Sequence, residues 1–202
     1  MATSVVDICN NALIRIGSKT ITSLTDGDKV ANSCNTIYEQ TRDMLLRQHL
    51  WNFAIKRVVL ASETDAPAFE FNNSFPLPSD FIRAKALEDQ YSEYKIESGN
   101  KLVTNASSVK LIYVSRVTDV AKFDPLFVEA LILMLAIKLS YILIGSNGRE
   151  QALKEELNKI MFLAKQVDGQ DDTPDSLNAS TFLDARGYGG WNTTKVYGDW
   201  SV

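Results

Sequence analysis

The chain has 202 residues, 45% of them hydrophobic and 23% charged, proportions that exclude a wholly disordered or collagen-like chain and disfavour an integral-membrane one. Lys and Arg total 21 against 25 Asp and Glu, a formal charge of -4, so the protein lacks the overall basic footprint of one that wraps nucleic acid. Two Cys are too few for a disulfide scaffold and fit a reducing compartment, and a single histidine, His49, cannot build a multi-histidine metal centre.

Met1 to Asn10 contains Asp7, no Lys or Arg and no long apolar run, so no targeting segment is expected there. A first helix is predicted from Ser4, with Ser4 and Asp7 spaced to cap its free N–H groups. Val5, Ile8, Cys9, Ala12, Leu13 and Ile16 form one apolar face, and Gly17 ends it. After a loop over Ser18 to Gly27, a second helix begins near Asp28. Its stripe is Val30, Cys34, Ile37, Tyr38, Thr41, Met44 and Leu45, with Glu39, Arg42, Asp43 and Arg47 expected on other faces. Cys9 and Cys34 both fall on apolar stripes and are expected to be buried free thiols. His49 sits where this helix should hand over to a strand, a position for a histidine that complements the helix C-terminus.

From Trp51 the pattern changes to alternation, with strands expected over 53–60, Phe81 to Leu87, Tyr91 to Glu97, Lys101 to Thr104 and Val109 to Val114. Phe75-Pro-Leu-Pro must be extended, and Ser98-Gly99-Asn100 supplies a hairpin turn. The expectation is one small antiparallel sheet of about four to six strands. Asp124-Pro125 opens a third helix, Asp as N-cap and Pro at the first helical position. Leu126 to Ile144 is almost long enough to span a membrane, but Glu129 and Lys138 interrupt it, each costing about 2.5–3.5 kcal/mol at mid-bilayer. A buried central helix is therefore expected. Gly145 and Gly148 bracket a turn into a fourth helix over Arg149 to Val167, with Leu153, Leu157, Ile160, Met161 and Ala164 inward. Glu150 with Lys154, and Glu155 with Lys159, form exposed pairs at helical spacing. Gln170 to Asn178 reads as an acidic linker, and Thr181 to Val202 as a polar tail carrying Phe182, Tyr188, Trp191, Tyr197 and Trp200. Aromatics in such a tail either dock on a partner or fold back on their own domain.

Recognisable chemistry is sparse. Gly187-Tyr188-Gly189-Gly190 lacks the preceding strand and the Lys-Ser/Thr ending of a phosphate loop. The adjacent acids Glu155 and Glu156, or Asp171 and Asp172, do not face one site. No catalytic, cofactor or metal residues are assigned.

The order of segments carries more. Ala12-Leu13-Ile14-Arg15-Ile16-Gly17 precedes Ile21-Thr22-Ser23-Leu24; Arg42-Asp43-Met44-Leu45-Leu46 then leads to His49-Leu50-Trp51-Asn52-Phe53-Ala54. Phe75-Pro-Leu-Pro-Ser-Asp, Phe123-Asp124-Pro125-Leu126-Phe127, Phe182-Leu183-Asp184-Ala185-Arg186 and Tyr188-Gly189-Gly190 follow. This succession resembles the head-to-tail adaptor family of tailed bacteriophages, in particular the tail tubular proteins of short-tailed phages. The family often has Pro after the His, where this chain has Leu50, so the junction is expected to bend differently.

The resemblance implies an α+β fold: an antiparallel-type four-helix bundle (1–52 and 116–168), an inserted antiparallel β lobe (53–115) and an extended tail (169–202) that docks on the portal. It implies a non-enzymatic virion subunit without cofactors, assembled in the bacterial cytoplasm into a dodecameric ring. The portal protein lies above and a tail nozzle or other tail protein below, and double-stranded DNA passes through without specific binding. Phe182, Leu183, Arg186, Tyr188, Trp191 and Trp200 are the expected portal contacts. Twelve copies would carry a total charge of about -48, a field that repels DNA phosphates. Other readings are an adaptor ring of a long-tailed phage feeding a stopper protein, a tail-associated cell-wall hydrolase using two carboxylates, and a membrane-docking helical protein.

Overall fold

The structure is a computed structural model that describes residues 4–89, 92–143, 145 and 148–171. Ser4 caps α1 (Val5–Ile16), its Oγ accepting from the Asp7 N–H at 3.1 Å. Gly17 closes the helix in the left-handed region at φ +74°, which a residue with a Cβ adopts at a cost. Its N–H reaches the Ile14 carbonyl while the Ser18 N–H reaches that of Leu13, the paired bonds of a Schellman motif. Two side chains hold the loop that follows: Asn10 accepts from the Ile21 N–H at 2.8 Å and donates to the Ile21 carbonyl at 2.9 Å, and Asp26 accepts from the Thr22 and Ser23 N–H groups at 2.8 and 2.9 Å.

Asp28 caps α2 (Lys29–Gln48) by accepting from the Ala31 N–H. The buried face of α2 is shifted from the expected stripe: Ala31, Arg42 and Leu46 join it, Ile37 is only half-buried, and Met44 leaves it. Arg42 is 4% exposed and Met44 is 40% exposed. Arg42 donates through Nε and Nη2 to Asp43 Oδ1, at 2.9 and 2.8 Å, while Arg116 donates to Asp43 Oδ2 at 2.8 Å. A guanidinium satisfied this way can lie against the core. Cys9 and Cys34 are both fully buried free thiols that approach each other between α1 and α2.

Trp51 turns the chain out of α2. It is buried, and its indole N–H donates to the Leu45 carbonyl at 3.0 Å. Its ring meets Phe127 edge-on at 5.1 Å, and Phe53 and Phe123 complete the aromatic cluster. After a 3-10 turn (Asn52–Ala54) the strands begin.

The single sheet expected from the sequence is replaced by two three-stranded antiparallel sheets. One is ordered β1 (Ile55–Leu60), β6 (Val109–Ser115), β3 (Phe81–Leu87), and the other β2 (Asn73–Pro76), β5 (Lys101–Thr104), β4 (Tyr94–Glu97). β4 is shorter than the expected strand. Ser98 and Gly99, at φ +50° and +71°, make the turn between β4 and β5. Splitting the strands lets Phe75 and Leu102 of the second sheet join Leu60, Leu87, Val109 and Leu111 of the first in a small core of their own. The first sheet also joins the helices, because Ile82 of β3 and Val114 of β6 belong to the larger helical core.

The expected four-helix bundle does not form. α3 (Pro125–Leu143), capped by Asp124 on the Leu126 N–H at 2.7 Å, is a hub against which α1 and α2 both pack. It is buried nearly all round, from Ala130 through Ala136 and again at Leu139 and Ser140. α4 (Gly148–Asp171) is peripheral: of its described side chains only Leu153 and Ala164 are buried, with Leu157, Ile160 and Met161 half-buried. A helix whose apolar stripe is so narrow does not form an equal fourth wall. α4 also runs through Gln170 to Asp171, so the start of the expected linker is helical.

α3 is long and apolar enough to cross a membrane, the one such helix among the described residues, and more than half of it is buried inside the fold. The two charges that interrupt it both have partners on neighbouring helices. Glu129 accepts from Arg15 of α1, which also donates to Glu156 of α4 at 2.8 Å. Lys138 donates to Thr41 Oγ1 of α2 at 3.0 Å, and burial lowers its ammonium below the usual lysine range. On α4 the Glu150–Lys154 pair forms at 2.5 Å, whereas Glu155 accepts from Gln151 rather than pairing with Lys159.

Candidate functional site

The expected portal contacts Phe182, Leu183, Arg186, Tyr188, Trp191 and Trp200 lie outside the described residues. At the end of the described helical domain, two side chains hold Asp168. His49, the C-cap of α2, brings Nε2 to 2.5 Å from Asp168 Oδ2, and Asn52 Nδ2 donates to the Asp168 carbonyl at 3.2 Å. The same imidazole packs edge-on against Trp51 at 4.9 Å. The lone histidine therefore ties the end of α2 to the far end of α4. Its side chain and that of Asp168 are 13% and 18% exposed, so the bond is largely screened from water. The sequence places His49 at the helix end but gives no sign of a partner 119 residues away.

Elsewhere an open groove of about 840 Å³ lies between α2 and the β lobe. Asp43, Met44 and Arg47 form one wall, Phe81 to Ala84 of β3 the floor, and Tyr94, Ile96 and Gly99 the other wall, with Arg116 at one end. Arg47 Nη1 donates to the Ile82 carbonyl at 2.6 Å and Arg83 Nη1 to the Arg47 carbonyl at 3.3 Å. These crossed bonds join α2 to β3 and place positive charge at the C-terminal end of α2, where the helix dipole favours it. Met44, Tyr94 and Ile96 are 40%, 36% and 41% exposed, an uncommon concentration of apolar surface beside arginines. Lys95, between Tyr94 and Ile96, lies over the Phe71 ring at 5.5 Å and pairs with Glu70. Sequence reasoning missed this groove because its walls come from segments about 40 residues apart in the chain.

No group of three or more His, Cys, Asp or Glu among the described residues is arranged to hold a metal ion. Two carboxylates of the lobe are held structurally: Asp80 accepts from Lys56 Nζ at 2.6 Å and from the Tyr113 hydroxyl at 3.0 Å, and Glu63 accepts from Lys101 Nζ at 2.7 Å and the Ser74 hydroxyl at 3.2 Å. Among known proteins, the chain matches no protein-family model and no curated protein.

Proposed function

We propose that this chain is a non-enzymatic virion subunit, a head-to-tail adaptor that forms a ring between the portal and the tail and extends the DNA channel. The reading rests chiefly on the ordered succession of segments from Ala12-Leu13-Ile14-Arg15-Ile16-Gly17 to Tyr188-Gly189-Gly190. The chain order of helices, β lobe and helices agrees with it. In this reading twelve copies assemble, the portal protein lies above and a nozzle or other tail protein below, and duplex DNA passes without specific contact. The segment from Thr181 supplies aromatic anchors to the portal, and Arg186 supplies a directional polar contact.

The test uses full-length protein, purified portal rings and co-sedimentation. Because Asp168 is held by His49 and Asn52, a truncation belongs after Asp171 rather than after Val167. Wild type is expected to sediment with portal, while the truncated chain and a full-length triple variant, Phe182→Ala with Trp191→Ala and Trp200→Ala, stay in the supernatant. Normal co-sedimentation of the triple variant and the truncation would overturn the docking role.

A further inference from the structure

We propose that the groove between α2 and the β3 and β4 strands is a docking site for an extended, acidic and apolar peptide segment of a partner protein. The inference stands on the groove alone and does not depend on the adaptor reading. Arg47 and Arg83 each spend one N–H on a backbone carbonyl, which leaves most of a guanidinium's five donors for a ligand. Neither has a carboxylate partner among the described residues. The acid that lines the groove, Asp43, is already neutralised between Arg42 and Arg116, so it does not cancel the local positive charge.

Two further features select a peptide over a bare anion. Met44, Tyr94 and Ile96 present a partly exposed apolar strip that phosphate or a lone carboxylate would leave unused. β3 ends one sheet and β4 ends the other, and all four β4 residues are exposed. Arg47 already occupies the Ile82 carbonyl on β3. β4 therefore offers the freer backbone, the kind of edge along which an extended segment adds main-chain hydrogen bonds. The occupant that uses all three features has carboxylates for Arg47 and Arg83, an aliphatic side chain for the strip and an extended backbone. Duplex DNA fits poorly, since it offers no peptide backbone to the β4 edge and would approach a molecule of formal charge -4.

Fluorescence anisotropy with the full-length chain tests this, using a labelled synthetic peptide of repeating Asp-Leu-Ser. Controls are the Asn-Leu-Ser and Asp-Ser-Ser peptides and a labelled DNA duplex. The Asp-Leu-Ser peptide is expected to bind with a Kd below about 1 mM and to lose at least about tenfold when Asp is replaced by Asn or Leu by Ser. Arg83→Gln should weaken it by a similar factor. Ile96→Ser and Met44→Ser, at exposed positions that the fold does not need, should do so without altering the circular dichroism spectrum. Equal binding of the Asn peptide, tighter binding of the duplex, no binding of the Asp-Leu-Ser peptide, or indifference to both Ile96→Ser and Met44→Ser would each overturn the proposal.

Discussion

At the scale of single residues, Asp80 shows how one carboxylate can organise the base of the β lobe. It takes Lys56 from β1 and the Tyr113 hydroxyl from β6, while its carbonyl accepts from the Arg116 N–H at 2.6 Å. Burial works to raise its pKa, but the bonds from Lys56 and Tyr113 outweigh burial and hold it below the usual carboxylate range. The Tyr113 hydroxyl is pushed the other way, up to about 12, by burial and by Asp80 itself. A depressed carboxylate contributes stability that is fully present above its unfolded pKa, near ~3.9, and is lost as the pH falls through its folded value. Asp80→Asn is therefore expected to cost about 1–2 kcal/mol in urea unfolding at pH 7, with the gap from wild type closing as the pH falls below about 4. A gap that stays constant down to acid pH would assign the loss to shape rather than charge. None of this was legible in the sequence, where Asp80 is only the acid after Phe75-Pro-Leu-Pro-Ser, because its partners are 24 and 33 residues away.

Elements were more legible than their assembly. Caps at Ser4, Gly17 and Asp124, a second helix beginning near Asp28, the turn at Ser98-Gly99 and the burial of α3 follow from local chemistry, and all are present. The exchange of Arg42 and Met44 on α2 was not legible, since what buries Arg42 is its ion pair with Asp43, itself held by Arg116 from beyond β6. Strand positions were visible, but their division between two sheets depends on Phe75 meeting Leu102 across a register that no local pattern encodes. The same holds for the tie between α2 and α4. Asp168→Ala leaves His49 on the Trp51 ring but removes the 2.5 Å bond, and it is expected to speed amide hydrogen exchange in the last turns of α4 around Ala164 severalfold. His49→Ala should do the same and, by also losing the aromatic contact, lower overall stability by about 1 kcal/mol more. If exchange around Ala164 is unchanged in both variants, the His49–Asp168 bond does not hold the end of α4, and its apolar contacts together with the Arg15–Glu156 pair suffice.

At the scale of the whole molecule, the proposed ring gives the modest charge of a single chain a different meaning. Twelve subunits of -4 sum to about -48, yet at physiological salt only charges within about one Debye length, ~8 Å, of passing DNA act on it. Total charge therefore does not decide whether the channel is adhesive; local composition of the lumen does. The groove lined by Arg47, Arg83 and Arg116 is a local exception to the acidic balance. If it faces the lumen, duplex should be retained at low salt and released as salt rises, and Arg47→Gln with Arg83→Gln should abolish retention. If it faces away, as its fit to an acidic peptide favours, assembled rings should fail to co-sediment with duplex even at about 10 mM salt, where screening extends to ~30 Å and any basic lumen patch would act at its greatest range. Co-sedimentation that survives the double variant would place adhesive groups elsewhere in the channel and would end the view of it as a passive, repelling conduit.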